Sequence, residues 1–401
     1  MHGKEGNTVA KLLLKDIGTI LSGDIANPVL EGDAILVDGP TIAAIGKEGH
    51  LSTADVDTVF DINGATVAPG LIDSHCHPCV GDFTPRQFAT NFIEGELHGG
   101  VTTIISGGEV HYPGRPKDAA GAKALAILSA KAYANLRPGG VKVIGGGLIL
   151  EKGLTEKDFE EMAKEGVRHI GEVGLGSIKQ PEDAAPLVRL AKKYGMVVMM
   201  HTGGTSIPGS STVTAAMVKA TDPDIVSHLN GGPTAIPLSE VEALIKETNY
   251  FLEIVQCGNP RVAIEAIKLI KDHKAMDRVI VGNDMPSGTG VISLGILRTL
   301  NLISSLGGIS GPEAVAMATG NTARCYKLNR GLIKEGYEAD LIMMDTPMGS
   351  VGKDAVSAIE AGDIPGIGLV MVDGVVRAQV SRNTPPPVRK CAISGPEQSI
   401  G

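Results

Sequence analysis

Eight short apolar segments alternate with amphipathic segments between Leu71 and Asp284, and this alternation constrains the fold more than any other feature. Apolar runs that alternate with helical periods predict βαβ units with parallel strands. Eight such units over roughly 250 residues are typical of a (β/α)8 barrel. The predicted strands are 71–77, 101–106, 141–150, 169–174, 196–201, 224–228, 251–256 and 278–284. The predicted helices include 119–134, 156–165, 181–194, 239–248 and 262–273.

The two ends of the chain show a different pattern, with short strands, tight turns and little helical periodicity. The alternative to a barrel is a doubly wound open sheet, but no G-x-G-x-x-G motif opens a helix after the first strand, which weakens a dinucleotide-binding interpretation. We therefore predict an α/β fold with a TIM-like barrel at 69–328. We hypothesise that the ends, 1–68 and 329–383, join into one composite β unit, followed by an extended C-terminal tail at 384–401.

The composition argues against nucleic acid or an anionic membrane as a partner. The chain carries 36 basic and 45 acidic residues, a net charge of −9, and only 3% aromatic residues with no tryptophan. Such a surface repels polyanions, and it has few aromatic side chains on which nucleic-acid bases could stack. No apolar run approaches the roughly 18 residues needed to span a bilayer. The five cysteines are scattered and odd in number, so we expect reduced thiols and a cytoplasmic protein.

Ionisable side chains collect at the carboxyl ends of five predicted strands, where (β/α)8 barrels hold their active sites. His75 and His77 stand two residues apart, so both side chains face one point in an extended strand. Four imidazoles and two carboxylates fit a pair of divalent ions better than one tetrahedral zinc. We expect zinc, with iron as the alternative at one site, although the same donors also accept manganese. The predicted metal ligands are His75, His77, Glu172, His201, His228 and Asp284.

Two segments resemble signatures of the amidohydrolase superfamily. They are Ala-Pro-Gly-Leu-Ile-Asp-Ser-His-Cys-His at 68–77 and Gly-Tyr-Glu-Ala-Asp-Leu-Ile at 336–342. The resemblance covers nearly the whole chain and implies a barrel with a β-sandwich built from both termini. It also implies that His75 and His77 hold the more buried ion and that His201 and His228 hold the second. Asp284 is then the catalytic residue that binds metal and moves the proton.

Two departures from common family patterns narrow the expected chemistry. Many members bridge their two metals with a carbamylated lysine, whereas this chain has Glu172, which can bridge directly. Mononuclear deaminases of the family usually carry a glutamate three residues after the fifth-strand histidine. Here Thr202-Gly203-Gly204 follows His201, which disfavours nucleoside deamination. Loops at 201–211, 228–234 and 282–290 are similar to those of a subfamily that hydrolyses a cyclic enamide acid.

The expected reaction is metal-dependent hydrolysis of a cyclic amide, by a hydrolase that acts on C–N bonds. Asp284 would accept the proton of the attacking hydroxide and return it to the ring nitrogen. A carboxylate on the substrate would need a clamp, for which arginine suits better than lysine. The candidates are Arg86, Arg115 and Lys117, in loops after the first two strands, and Thr202, which begins a glycine-rich turn.

Other functions stay open at this point. One is a dihydroorotase- or hydantoinase-like cyclic amide hydrolase, which differs in its ring substrate. Another is a catalytically silent, assembly-forming member of the fold, which usually lacks ligands that are all present here. The expected partners are a small cyclic amide bearing a carboxylate and further copies of the chain, as in a tetramer. Nucleic acid and membrane are not expected.

Overall fold

A computed structural model describes residues 10–80, 89–205, 212–286 and 290–396 of the chain. Strands dominate both ends, and strands alternate with helices in between. The strands are β1 (Lys11–Lys15), β2 (Thr19–Leu21), β3 (Val29–Leu30), β4 (Ala34–Asp38), β5 (Thr41–Gly46), β6 (Thr58–Asp61), β7 (Thr66–Pro69), β8 (Leu71–Cys76), β9 (Val101–Ser106), β10 (Lys142–Ile144), β11 (His169–Val173), β12 (Val197–Met200), β13 (Ile225–Val226), β14 (Phe251–Val255), β15 (Val279–Gly282), β16 (Leu341–Asp345), β17 (Gly366–Val372), β18 (Val375–Gln379) and β19 (Ala392–Ser394). The helices are α1 (Ala89–Leu97), α2 (Ala119–Asn135), α3 (Glu156–Lys164), α4 (Pro181–Lys193), α5 (Ala215–Thr221), α6 (Leu238–Glu247), α7 (Pro260–Asp272), α8 (Gly295–Ser305), α9 (Gly311–Ala316), α10 (Thr322–Tyr326) and α11 (Ala355–Ala361).

The central strands form two parallel sheets, β10-β9-β8 and β11-β12-β13-β14-β15. Isolated parallel bridges link the edges of these sheets, from Cys76 to Met285 and from Leu148 to Ile170. The arrangement is the TIM-barrel-like α/β fold that the alternating pattern predicted. Strands that are covered on both faces read as continuous apolar runs, as in Val-Val-Met-Met of β12.

The predicted strand 141–150 is shorter in the structure. It ends at Ile144, because three consecutive glycines follow, and Gly146 takes a φ of +86° that an L side chain rarely adopts. The chain then returns to the sheet only at the Leu148 bridge. A glycine run inside an apolar stretch therefore interrupts the ladder of hydrogen bonds.

Two mixed sheets contain strands from both ends of the chain. Their strand orders are β19-β6-β1-β4-β5 and β18-β17-β16-β7-β2-β3. Apolar side chains from both sheets share one core, which includes Leu12, Phe60, Val67 and Leu341. The tail contributes β19, which pairs with β6 in antiparallel fashion. The domain boundaries given above stay a prediction.

Local signals set the helix ends around the parallel strands. Asn259 caps α7 by accepting from the backbone N–H of Val262, and Pro260 occupies the first turn, where its missing N–H costs nothing. Thr155 and Asp158 form a capping box at the start of α3. Within the four described ranges, no helix is long and apolar enough to cross a bilayer.

Candidate metal centre

His75 and His77 meet at the carboxyl end of β8. Their Nε2 atoms lie 3.1 Å apart, and both side chains are almost fully buried. Two carboxylates complete this first ligand group. Glu172 Oε2 lies 3.6 Å from Nε2 of His75 and 3.4 Å from Nε2 of His77, and Asp284 Oδ1 lies 3.7 Å and 3.2 Å from the same two atoms.

The hydrogen bonds on the far side of the two rings show that this group fits a cation. Nδ1 of His75 contacts Glu253 Oε2 at 3.0 Å, and Nδ1 of His77 contacts the carbonyl oxygen of Gly108 at 2.9 Å. Both partners are acceptors, so in the neutral rings each Nδ1 carries the proton and each Nε2 keeps a lone pair. The two lone pairs face each other beside two carboxylate oxygens. Ligand atoms around a tetrahedral zinc stand about 3.3 Å apart, close to the spacing seen here.

The charges around the group also favour a cation. Burial alone would lower the pKa of His77, but hydrogen bonds with Asp284 and Glu172 outweigh burial and raise it to about 9. The pocket therefore stabilises positive charge at Nε2, whether a proton or a metal ion carries it. These residues could hold a divalent ion, and imidazole and carboxylate donors suit several first-row metals.

Glu172 connects this group with a second one. Its Oε1 lies 3.0 Å from Nδ1 of His201 and 2.7 Å from Nε2 of His228, while Oε2 faces His75 and His77. Burial alone would raise the pKa of Glu172, but the surrounding imidazoles, beginning with His75, outweigh it and hold the pKa well below its usual value. The carboxylate thus offers one oxygen to each pair of histidines, which is the geometry of a bridging ligand.

Asp284 stands at the open side of the first group. It follows β15, its backbone has a φ of +56°, and its side chain is 16% exposed, whereas that of His75 is fully buried. Burial by itself would raise its pKa, but His75 and His77 outweigh burial and hold the pKa below the usual value. Asp284 is therefore an ionised carboxylate placed between the buried histidines and the solvent side of the pocket.

Two residues at the centre were not predicted from the sequence. Gly107 follows β9, and a Cβ at this position would lie 2.5 Å from the ring of His75, so only glycine leaves room for that imidazole. Glu253 lies inside β14 and is fully buried beside His75. A charged residue between Leu252 and Ile254 in an apolar strand was the available signal, because buried glutamates are rare unless they are paired.

The predicted substrate-binding residues lie in different surroundings. Arg115 is half-buried and pairs with the buried Glu151, with 2.9 Å between Nη1 and Oε1. Lys117 is exposed. Thr202 is buried, and its hydroxyl donates to the carbonyl oxygens of Ser227 and His228, at 2.8 and 3.2 Å. Arg86 lies outside the described residues. The role of all four in substrate binding stays a prediction.

The chain belongs to the amidohydrolase family, whose model matches residues 66–377. Members of this family generally use divalent metal ions, in keeping with the two groups of ligand-type residues. The chain is thus a hydrolase that acts on C–N bonds, and the predicted membership is confirmed.

Individual relatives define the similarity more closely. The chain is 57% identical to enamidase of Eubacterium barkeri over 96% of this chain and 100% of the relative. A solved structure of enamidase superposes with a TM-score of 0.93 at 57% identity, covering 96% of this chain and all of that one. An adenine deaminase of Listeria monocytogenes is 22% identical over 94% of this chain and 60% of its own length.

Proposed function

We propose that this chain hydrolyses 6-oxo-1,4,5,6-tetrahydronicotinate to 2-formylglutarate and ammonia in nicotinate degradation, by metal-dependent opening of the cyclic amide. The observation that carries the proposal is the carboxylate of Glu172, which presents one oxygen to each of two histidine pairs. The 57% identity to enamidase over its full length supports the substrate. It does not favour the dihydroorotase- or hydantoinase-like alternative or a catalytically silent homologue.

The residues of the centre have two roles, which are to bind the metal ions and to transfer a proton. His75 and His77 with Asp284 would hold one divalent ion, His201 and His228 the other, and Glu172 would join them. Bound ions supply a more acidic water and a polarised amide carbonyl. The carboxylate of Asp284 takes the proton from the nucleophile and delivers it to the ring nitrogen as the C–N bond breaks. The enamine released can tautomerise to the imine, and a second water then hydrolyses the C=N bond to give the aldehyde and ammonia.

Several finer features belong to the same proposal. Zinc is the expected metal, with iron at one site as the alternative, because imidazole and carboxylate accept both. The eight parallel strands close into a barrel, and the two terminal sheets pack as a β-sandwich, which the isolated bridges and the shared core support. We further propose a cytoplasmic homo-oligomer, such as a tetramer, acting on a substrate that carries a carboxylate.

The carboxylate clamp can be tested at the two described cations. Arg115 already pairs with Glu151, so a substrate carboxylate would have to share its guanidinium, whereas exposed Lys117 could approach the ligand freely. KM measured for Arg115→Ala and for Lys117→Ala separates the two. An unaltered KM removes the substituted residue from the clamp.

A substrate panel tests the function itself. Purified protein is assayed by chromatography for loss of 6-oxo-1,4,5,6-tetrahydronicotinate, dihydroorotate and hydantoin. Ammonia release is measured in addition for the first compound, because ring opening of the other two gives N-carbamoyl amino acids and no ammonia. Turnover of the first compound at a kcat/KM at least 100-fold above the others supports the proposal. Preference for dihydroorotate or hydantoin would move the chain to a sister activity, and turnover of none would refute the enzymatic assignment of this substrate class.

A further inference from the structure

Glu253 is an acidic residue that the proposed reaction does not use directly. It lies in the middle of β14, and its side chain is fully buried. An ionised carboxylate is costly in such surroundings unless hydrogen-bond donors surround it. The identity of those donors therefore indicates what the carboxylate does.

The two oxygens of Glu253 face four groups. Oε1 accepts from the hydroxyl of Ser74 at 2.5 Å. Oε2 accepts from the hydroxyl of Ser227 at 2.7 Å and from the backbone N–H of His228 at 3.2 Å, and it lies 3.0 Å from Nδ1 of His75. A single oxygen therefore contacts the ring of His75 in the first ligand group and the backbone of His228 in the second.

The contact with His75 sets the orientation of its ring and the nitrogen that carries the proton. With the Nδ1 proton donated to Glu253, Nε2 keeps its lone pair on the side of His77 and Glu172. A carboxylate on the far nitrogen also makes an imidazole a more basic ligand, and such partners are worth roughly 10- to 100-fold in metal affinity.

The contact with His228 stabilises an unusual backbone. His228 has a φ of +33°, a region that non-glycine residues rarely adopt and that persists only where the surroundings hold it. Glu253 accepts from its N–H, and the hydroxyl of Thr202 donates to its carbonyl oxygen. These bonds fix the direction in which the imidazole leaves the strand end, toward Oε1 of Glu172.

The geometry points to Glu253 as a positioning residue that sets both groups of metal ligands at once, an inference that rests on the metal centre of the proposed function. It orients the first group through the ring of His75 and the second through the backbone of His228. Removing its charge should therefore weaken the binding of both ions, although Glu253 ligates neither.

Glu253→Gln is the sharpest test. Glutamine has the same length, so packing is kept and its amide can donate to Ser74. The neutral carbonyl that replaces Oε2 is a weaker acceptor for both the Nδ1 proton of His75 and the N–H of His228, so the hold on both ligand groups is loosened. We expect a folded protein whose Kd for zinc, measured by competition with a chromophoric chelator, rises about 10- to 100-fold for both ions. Excess zinc should restore kcat. Asp345→Asn, at a buried carboxylate that accepts from Arg389, should leave the zinc affinity unchanged.

Other results would overturn the inference. Wild-type zinc affinity in Glu253→Gln refutes it, and weakening at one ion alone refutes the claim that Glu253 serves both groups. If this variant does not fold, Ser74→Ala removes the hydroxyl that donates to Oε1 and should shift the affinity in the same direction, whereas Ser227 is unsuitable because its hydroxyl also lies 3.0 Å from Nδ1 of His75. An unaltered affinity in Ser74→Ala refutes the inference. A wild-type chain that binds no metal would instead refute the metal centre itself, so the two failures can be told apart.

Discussion

Asp284→Asn separates proton transfer from metal binding. Asparagine is suited to this position because it tolerates the left-handed backbone, with φ of +56°, better than most residues do. It also leaves His75, His77 and Glu172 in the first group, and three protein ligands are what catalytic zinc sites ordinarily have. The variant should therefore keep its metal while losing the carboxylate that accepts and returns the proton.

The size of the effect follows from that role. Loss of a general acid–base group costs roughly 100- to 10,000-fold in rate, which is about 3–5 kcal/mol of activation free energy. We expect kcat to fall by this factor while elemental analysis still finds two ions per chain. Asp277→Asn, at an exposed carboxylate that pairs with Arg324, is the control and should keep full kcat. Full turnover by Asp284→Asn with both ions bound would refute the proton relay.

Three further substitutions test other parts of the account. Glu172→Gln leaves one oxygen for two ligand groups, so elemental analysis should find one ion per chain instead of two; two ions would contradict the bridge. Gly107→Ala places a Cβ 2.5 Å from the ring of His75, so chelator competition should show weaker metal binding, whereas unaltered affinity would mean that the ring can move freely. His169 is buried, and burial lowers its pKa to about 4. The hydrogen bond to the carbonyl oxygen of Ser106 acts in the opposite direction but is outweighed. The unfolded chain takes up this proton near pH 6.5 and the folded one only near pH 4, so acidification between these values favours unfolding. From pH 7 to 5, urea titration should show wild type losing about 2 kcal/mol more stability than His169→Gln, and equal losses would contradict this.

The periodicity of the sequence predicted much of the central architecture. The helix expected at 119–134 is α2, Ala119–Asn135, and the strand expected at 196–201 is β12, Val197–Met200. In both segments the spacing of apolar residues is the one expected for the element that forms, so the local sequence pattern agrees with the burial seen in the fold. Helix α8 was not predicted, because eight of its eleven residues are buried and Arg298 is its one charged residue.

The candidate ligands were found because they end apolar strands, where a parallel barrel brings its functional side chains together. Glu253 was missed for the opposite reason, since it lies within a strand. Its partner His75 is 178 positions away in the chain. Gly107 was missed because a side chain at this position would clash with the ring of His75. That clash is visible only in the folded structure, which brings the two residues together.

The central claim is that two divalent ions at this centre carry the hydrolysis. The most direct test measures metal content and turnover of 6-oxo-1,4,5,6-tetrahydronicotinate on the same preparation, before chelation, after chelation, and after zinc or iron is restored. We predict two ions per chain, loss of turnover when they are removed, and recovery in proportion to the metal regained. Undiminished turnover by the metal-free protein would contradict the account.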